Sequence, residues 1–504
     1  MNEPAAIPLH AVMTPATALF VEAVRDSDWS RTLQLLDHHW AEIWFAVDPT
    51  DLRRLAAAAP PHLLASLLSA GFIARATGHG AVEDLLEPTV PDRGASPDQH
   101  AQYVAALRVR GRPVRAMAHV RRHFDEIQAQ RGLPADSSGG TTALWLVQAA
   151  ITALLAGEAA AAKGMLLSAV DTRRPDRFPF IVREAMAKLA LAHALIGDIT
   201  EATSVNERAQ ALPRTESWVE SLVDATIRLT EYICAVDTLD PRAEELRRDS
   251  PSPMAHREFW PVALSAQVRH LVLTGRPHQA QALCDSVAAA GLPPPGADGL
   301  FAAALPDARL LLGGRGARSV DMSGGLASTC QRRLARAVQL FTTGQFAAVA
   351  RLEPPESHDD RVVRAMSLLR AQATSAKGRV REGRRELLGT LHEMLDRRSY
   401  SELRYLTRES LEAIRDSATG RQAAELVERL AVPRFGVRAV LAAPLTDAEV
   451  DVLRLLRLGL TREEMAERLF VSVNTVKTQL RSAYRKLGAT RRNEALEKFA
   501  DLGI

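Results

Sequence analysis

The chain has 504 residues, too many for one compact core and enough for about three units unless repeats extend one of them. With 47% apolar residues, 24% charged residues and a net charge of +3, it reads as an ordinary globular protein, and no global basic field is available to hold nucleic acid. Three widely separated cysteines, Cys234, Cys284 and Cys330, form no CxxC pair and no disulfide framework, and they read as small buried residues in a reducing cytoplasm.

The opening segment, MNEPAAIPLHAVMTPA, lacks the basic start and apolar stretch of a secretory signal. Apolar runs elsewhere fall short of the eighteen or more residues a membrane span requires, so no membrane partner is expected. FVEAVRDSDWSRTLQLLDHHW then reads as two amphipathic helices around a turn at Asp26–Trp29. Abundant Ala, Leu and Arg, few aromatics and no sustained period-two alternation make the whole chain all-α.

From about residue 15 to 430 this helix-turn-helix layout recurs. Several turns share one form, a Gly followed five residues later by a small residue: Gly111 and Ala116, Gly157 and Ala162, Gly197 and Ala202, Gly275 and Ala280, with looser copies starting at Gly344 and Gly378. Gly can take the left-handed conformation that ends the first helix, and a small residue on the second lets the two pack closely. Successive turns lie 46, 40, 78, 69 and 34 residues apart. The 78 is close to two periods, with Asp237–Ala243 as the missing turn. A period near forty belongs to helical-hairpin solenoids, and Leu189–Ala211 is similar to a tetratricopeptide hairpin. Trp40, Trp44, Trp145, Trp218 and Trp260 either line the concave face of such an array or fill its core, the commoner fate of large aromatics.

Pro, Gly and Ser cluster at 87–97, 132–140, 292–299, 312–325 and 353–357, which read as connections or surface excursions. Gly313–Ser319 is Gly-rich but lacks the Lys-Ser/Thr of a phosphate-binding loop, and is expected to be a flexible loop. The segment VPRFGVRAVLAAP changes the character of the chain. The expected organisation is a repeat region at 1–431, a linker at 432–444 and a separate domain at 445–504.

That last domain should contain four helices. Thr446-Asp-Ala-Glu449 is a capping box that opens the first, which stops at Gly459; Thr461-Arg-Glu-Glu464 opens the second; Ser472 caps the third. Two helices joined by so short a turn form a helix-turn-helix. On the third, about 473–487, Val473, Val476, Leu480 and Leu487 should face inward, while Lys477, Thr478 and Arg481 share the opposite face. Between Phe470 and Asn493 there are six Lys or Arg residues and no acid. A charge run alone would suggest a solvated face. With the capped geometry and the missing acids, it suggests a helix that enters the major groove, where long cationic side chains bond guanine edges.

The segment resembles the DNA-binding domain of LuxR-type (GerE-like) transcriptional regulators. The match runs through Leu445, Thr446, Glu449, Gly459, Leu460, Thr461, Met465, Ala466, Leu469, Ser472, Thr475, Val476, Lys477, Tyr484, Lys486, Leu487, Gly488, Arg492, Glu494 and Ala495. The resemblance implies that Lys477, Thr478 and Arg481 read bases, that Thr461, Arg462, Thr475, Arg485 and Arg492 sit near phosphates, and that a fourth helix with Ala495 and Phe499 supports dimerisation. Ala448, Asp451 and Gln479 depart from the family's usual Arg, Glu and His.

The repeat array before this domain is similar to the large MalT-type regulators, without the Gly-x-x-x-x-Gly-Lys-[Ser/Thr] loop of their ATPase. The expected protein is a cytoplasmic, nucleoid-associated regulator. It binds double-stranded DNA as a homodimer and is controlled by an unknown ligand or protein on its repeats. The competing reading is an interaction scaffold that the C-terminal domain tethers or dimerises. Neither an HExxH nor a Gly-x-Ser-x-Gly motif occurs, and the adjacent His38 and His39 form no metal signature, so no catalytic residue, metal or cofactor is expected.

Overall fold

In a computed structural model of the chain, the described residues are 15–48, 50–52, 58, 90–92, 94–129, 141–171, 178, 180–250, 252–312, 329–355, 359–429, 446–487, 489 and 491–501. The expected linker at 432–444 and the Gly-rich loop at 313–319 lie outside them, as do the connection at 132–140, most of that at 312–325 and part of that at 87–97. The described residues contain helices and no strand, and none of these helices is long and apolar enough to cross a membrane.

The helices come largely in hairpins. They are α1 (Pro15–Arg25), α2 (Trp29–His38), α3 (Trp40–Ala46), α4 (Pro97–Val109), α5 (Pro113–Ala129), α6 (Thr141–Ala156) and α7 (Ala159–Val170). Next are α8 (Ile181–Ile196), α9 (Ile199–Ala211), α10 (Glu220–Asp237), α11 (Arg242–Asp249), α12 (Trp260–Leu273), α13 (Pro277–Ala289) and α14 (Gly299–Leu312). Then come α15 (Thr329–Thr342), α16 (Phe346–Val349), α17 (Asp360–Ala376), α18 (Val380–Asp396), α19 (Arg408–Glu412) and α20 (Ala418–Arg429).

The turn logic holds residue by residue. Gly111, Gly157, Gly197, Gly275, Gly344 and Gly378 all have φ between 71° and 94°. The small partners Ala116, Ala162, Ala202 and Ala280 are each 0% exposed. At the looser copy beginning with Gly378, the fifth position is Gly383, where an added Cβ would run into the Ala371 carbonyl and Ser375 of the facing helix. Two turns manage without glycine: Leu239 (φ 56°) makes the turn expected between α10 and α11, and Ser27 (φ 57°) the one between α1 and α2.

The chain divides into two units, one of Met1–Arg332 with Glu356–Arg361 and Met394–Ser401, the other of Arg333–Pro355 with Val362–Glu393 and Glu402–Ile504. Within the first, successive hairpins pack through small and branched residues, and an ion network closes them. Asp237, 0% exposed at the end of α10, accepts from Arg361 Nε at 2.8 Å and Arg269 Nη1 at 3.3 Å. Its backbone carbonyl takes the Tyr400 N–H at 2.7 Å, and Arg361 also donates to the Leu195 carbonyl at 2.9 Å. Cys234 and Cys284 are buried, and burial pushes their thiols up to about 12 and about 11, so neither is a ready nucleophile.

Candidate DNA interface and ligand cavity

Four helices end the chain: α21 (Asp447–Arg457), α22 (Arg462–Leu469), α23 (Val473–Leu487) and α24 (Arg492–Asp501). Both expected capping boxes are formed. Glu449 accepts the Thr446 N–H at 2.6 Å while Thr446 Oγ1 accepts the Glu449 N–H at 3.3 Å. Thr461 and Glu464 repeat this at 2.7 and 3.3 Å. Gly459, at φ 86°, lets the chain leave α21. Three residues, Phe470, Val471 and Ser472, separate α22 from α23, and Ser472 Oγ accepts the Thr475 N–H at 3.0 Å.

Val476, Leu480 and Leu487 face a core shared with Leu453, Met465 and Phe499, and every member of that core comes from 450–499. Val473 does not join them. It is the first residue of α23, before the inner face closes, and stays 42% exposed; Ala483, at 0%, fills the inner face instead. The Gln479 amide oxygen, where the family usually has His, is buried with no hydrogen-bond partner.

The opposite face carries Lys477, Thr478 and Arg481, all exposed, with Arg485 a turn further on. The Thr478 hydroxyl donates to the Asn474 carbonyl at 2.9 Å, which fixes its rotamer against the helix. Lys486 belongs to another environment. It ion-pairs with Glu449 at 2.7 Å, side chains 14% and 5% exposed, and so ties α23 to the start of α21. Burial alone would raise the Glu449 carboxyl, but hydrogen bonds from Lys486, the Thr446 N–H and Ser482 hold it down at about 2.

The residues expected near phosphates divide in the same way. Thr461 and Arg462 are exposed at the start of α22, and Arg485 is exposed. Thr475 is half-buried, its hydroxyl 2.8 Å from that of Ser472. Arg492 donates to the Leu456 carbonyl at 3.0 Å, satisfying an end carbonyl of α21. Ala495 and Phe499, expected at a dimer face, are both 0% exposed. These side chains seat α24 in the domain's own core.

The first unit holds a cavity of about 570 Å³. Trp40, Trp44, Trp218 and Trp260 line it with Phe259 and Phe301, so four of the five tryptophans singled out from the sequence meet here; Trp145 is packed elsewhere at 0% exposure. Buried polar groups share the wall. Arg108 donates to Glu258 at 3.1 Å and to the Gln148 side chain at 2.6 Å; the Lys188 ammonium donates to Thr226 at 2.6 Å and lies 4.8 Å from the Phe259 ring centre. One Glu184 oxygen is buried without a partner, and burial raises that carboxyl and lowers the Lys188 amine. An aromatic box with a few convergent polar groups suits a small amphipathic molecule. Arg108, Glu184 and Lys188 escaped the sequence reading because each sits alone in a helical pattern. Only the spacing of Glu184 and Lys188, one turn apart on the largely apolar α8, hints that they face inward together.

Residues 443–499 match the family model for bacterial regulatory proteins of the luxR family. The HTH-type transcriptional activator RamA of Corynebacterium glutamicum is 36% identical over 107 residues, covering 21% of this chain and 36% of that protein. A putative HTH-type transcriptional regulator of Mycobacterium bovis is 44% identical over 59 residues, 12% of this chain and 7% of the relative. The transcriptional regulatory protein YxjL of Bacillus subtilis is 35% identical over 98 residues, 18% of this chain and 45% of the relative. The chain thus spans less than half the length of each of these relatives, and no solved structure matches it.

Proposed function

We propose that this chain, whose C-terminal segment is a luxR-family helix-turn-helix domain, is a sequence-specific transcriptional regulator. In this reading 445–504 reads DNA, 432–444 links, and 1–431 senses or docks. One observation carries it: α23 keeps its apolar face in the core and presents Lys477, Thr478 and Arg481, with no acid on the helix, to solvent. Inserted in the major groove, the two cations reach guanine edges. Thr461, Arg462, Thr475 and Arg485 flank them toward the phosphates, and Arg492 acts there through α21, whose last turn it caps. The domain works as a homodimer on DNA, in the cytoplasm at the nucleoid. Ala495 and Phe499 serve that dimer by seating α24, whose outer residues make the contact. The Trp-lined cavity supports control by a small ligand bound in the repeats.

Selection of random duplex DNA on the full-length protein tests the reading. A short, roughly palindromic motif is expected, bound with a steep salt dependence and lost in Arg481→Ala. If the motif emerges only from 432–504, the repeat region masks the reader and its ligand becomes the target. If neither selects a motif, the proposal fails and the scaffold reading replaces it.

A further inference from the structure

The hairpin of α4 and α5 encloses a group of side chains that no part of DNA reading uses. His100 on α4 and His119 and His123 on α5 are all buried, at 1%, 8% and 7% exposure. One ring nitrogen from each can be chosen so that all lie within 4.8 Å of one another. His100 Nδ1 and His119 Nε2 are 2.9 Å apart, close enough to share one N–H···N hydrogen bond. The rings lie tilted by 35° to 39° to one another, with centres 4.5 to 5.1 Å apart. Behind them, the Tyr103 ring is 4.6 Å from His119 and the Trp145 ring 5.9 Å from His100.

Three imidazoles make an expensive core. Each brings two polar nitrogens that must be satisfied, where leucine or phenylalanine would fill the same volume without that cost. The account here is incomplete: His123 Nδ1 is buried with no hydrogen-bond partner. A metal ion resolves it, because it takes one lone pair from each ring. Metal–nitrogen bonds of 2.0–2.1 Å in a tetrahedral site set ligand nitrogens about 3.3 Å apart, inside the spread already present. His119 and His123 stand one turn apart on the same face of α5, a spacing from which two imidazoles can reach one ion. We propose that His100, His119 and His123 form a binding site for a late first-row divalent metal ion, zinc(II) above all, with a fourth position left for water or an incoming ligand.

The electrostatics agree. Burial first, and then the neighbouring rings, push His100 down to about 4 and His119 to about 3; Arg122 works in the same direction on His119, and Glu126 opposes it on His100. Neutral rings at physiological pH have their lone pairs free for a metal. Nitrogen-only ligation suits zinc, copper or nickel and disfavours calcium and magnesium, which want oxygen. Glu126 Oε2, 3.6 Å from His123 Nδ1, adds a negative charge beside the site. The inference does not rest on the DNA-binding reading.

Full-length protein stripped with a chelator and titrated with cobalt(II) and zinc(II) tests it. The expected result is one cobalt(II) per chain, with visible d–d bands, no thiolate charge transfer, displacement by zinc(II), and a melting temperature raised by either ion. His119→Gln and His123→Gln should each weaken binding by about 100-fold or more, while the double variant His38→Ala/His39→Ala binds as the parent does. Unchanged affinity in the folded Gln variants, a thiolate spectrum, or no stoichiometric uptake by the parent chain would overturn the proposal. Should the Gln variants lose their helical circular dichroism, the cobalt spectrum and stoichiometry of the parent chain alone decide between these outcomes.

Discussion

Lys477 and Lys486 lie on one helix and differ in whether their charge can meet a phosphate or a base. The first projects from the outer face, and the second is held 2.7 Å from Glu449 at the junction of α21 and α23. Replacing Lys477 or Arg481 with Ala should therefore cost about 1–3 kcal/mol against a preferred operator and relax its sequence preference, read by competitive binding. Lys486→Met should leave the preference unchanged. It removes a charged hydrogen bond from a buried carboxylate and should cost the domain about 2 kcal/mol in a calorimetric melt. Acid should mimic that loss. The folded Glu449 carboxyl titrates at about 2, below its unfolded value, so its stabilisation is complete at neutral pH and disappears as the pH falls from about 5 toward 2. A pH series on the parent chain and on Lys486→Met should converge across that window.

At the scale of elements, what the sequence made legible was local. A capping box needs two residues three apart, and the turn motif needs a Gly and a small residue five apart; both survive intact in the structure because their chemistry is complete within a short stretch of chain. Val473 was misread for a related reason: periodicity gives a face but not the point at which a helix begins to be covered. The turn between α22 and α23 shows another limit. Phe470 sits there at φ 53°, a conformation L residues resist, with 96% of its surface exposed. Phe470→Asn, which tolerates that backbone and gives up no burial, should stabilise the domain by about 1 kcal/mol, checked by its melting transition with operator affinity unchanged.

The cavity and the histidine group were illegible because they belong to the molecule rather than to any stretch of it. Trp40 and Phe301 meet across 261 positions of sequence, and His100 meets His119 only because one particular hairpin closes. The Asp237 network has the same character, joining α10 to Arg361 and Tyr400. Arg361→Ala leaves the fully buried Asp237 carboxylate with Arg269 as its guanidinium partner and should cost about 3 kcal/mol in chemical denaturation. The double change Arg361→Met/Asp237→Leu should recover part of that, because it removes both charges.

The buried alanine five places after Gly111, Gly157, Gly197 and Gly275 has a consequence for how such a chain can change over time. One residue added or lost between the two would rotate the second helix by about 100°, carrying the alanine out of the contact and a bulkier neighbour in. Within a hairpin, then, length is frozen while composition drifts. Between hairpins no such phase is kept, so insertions, fusions and trimming should gather in the connectors, and the array can lengthen or shorten only by whole hairpins.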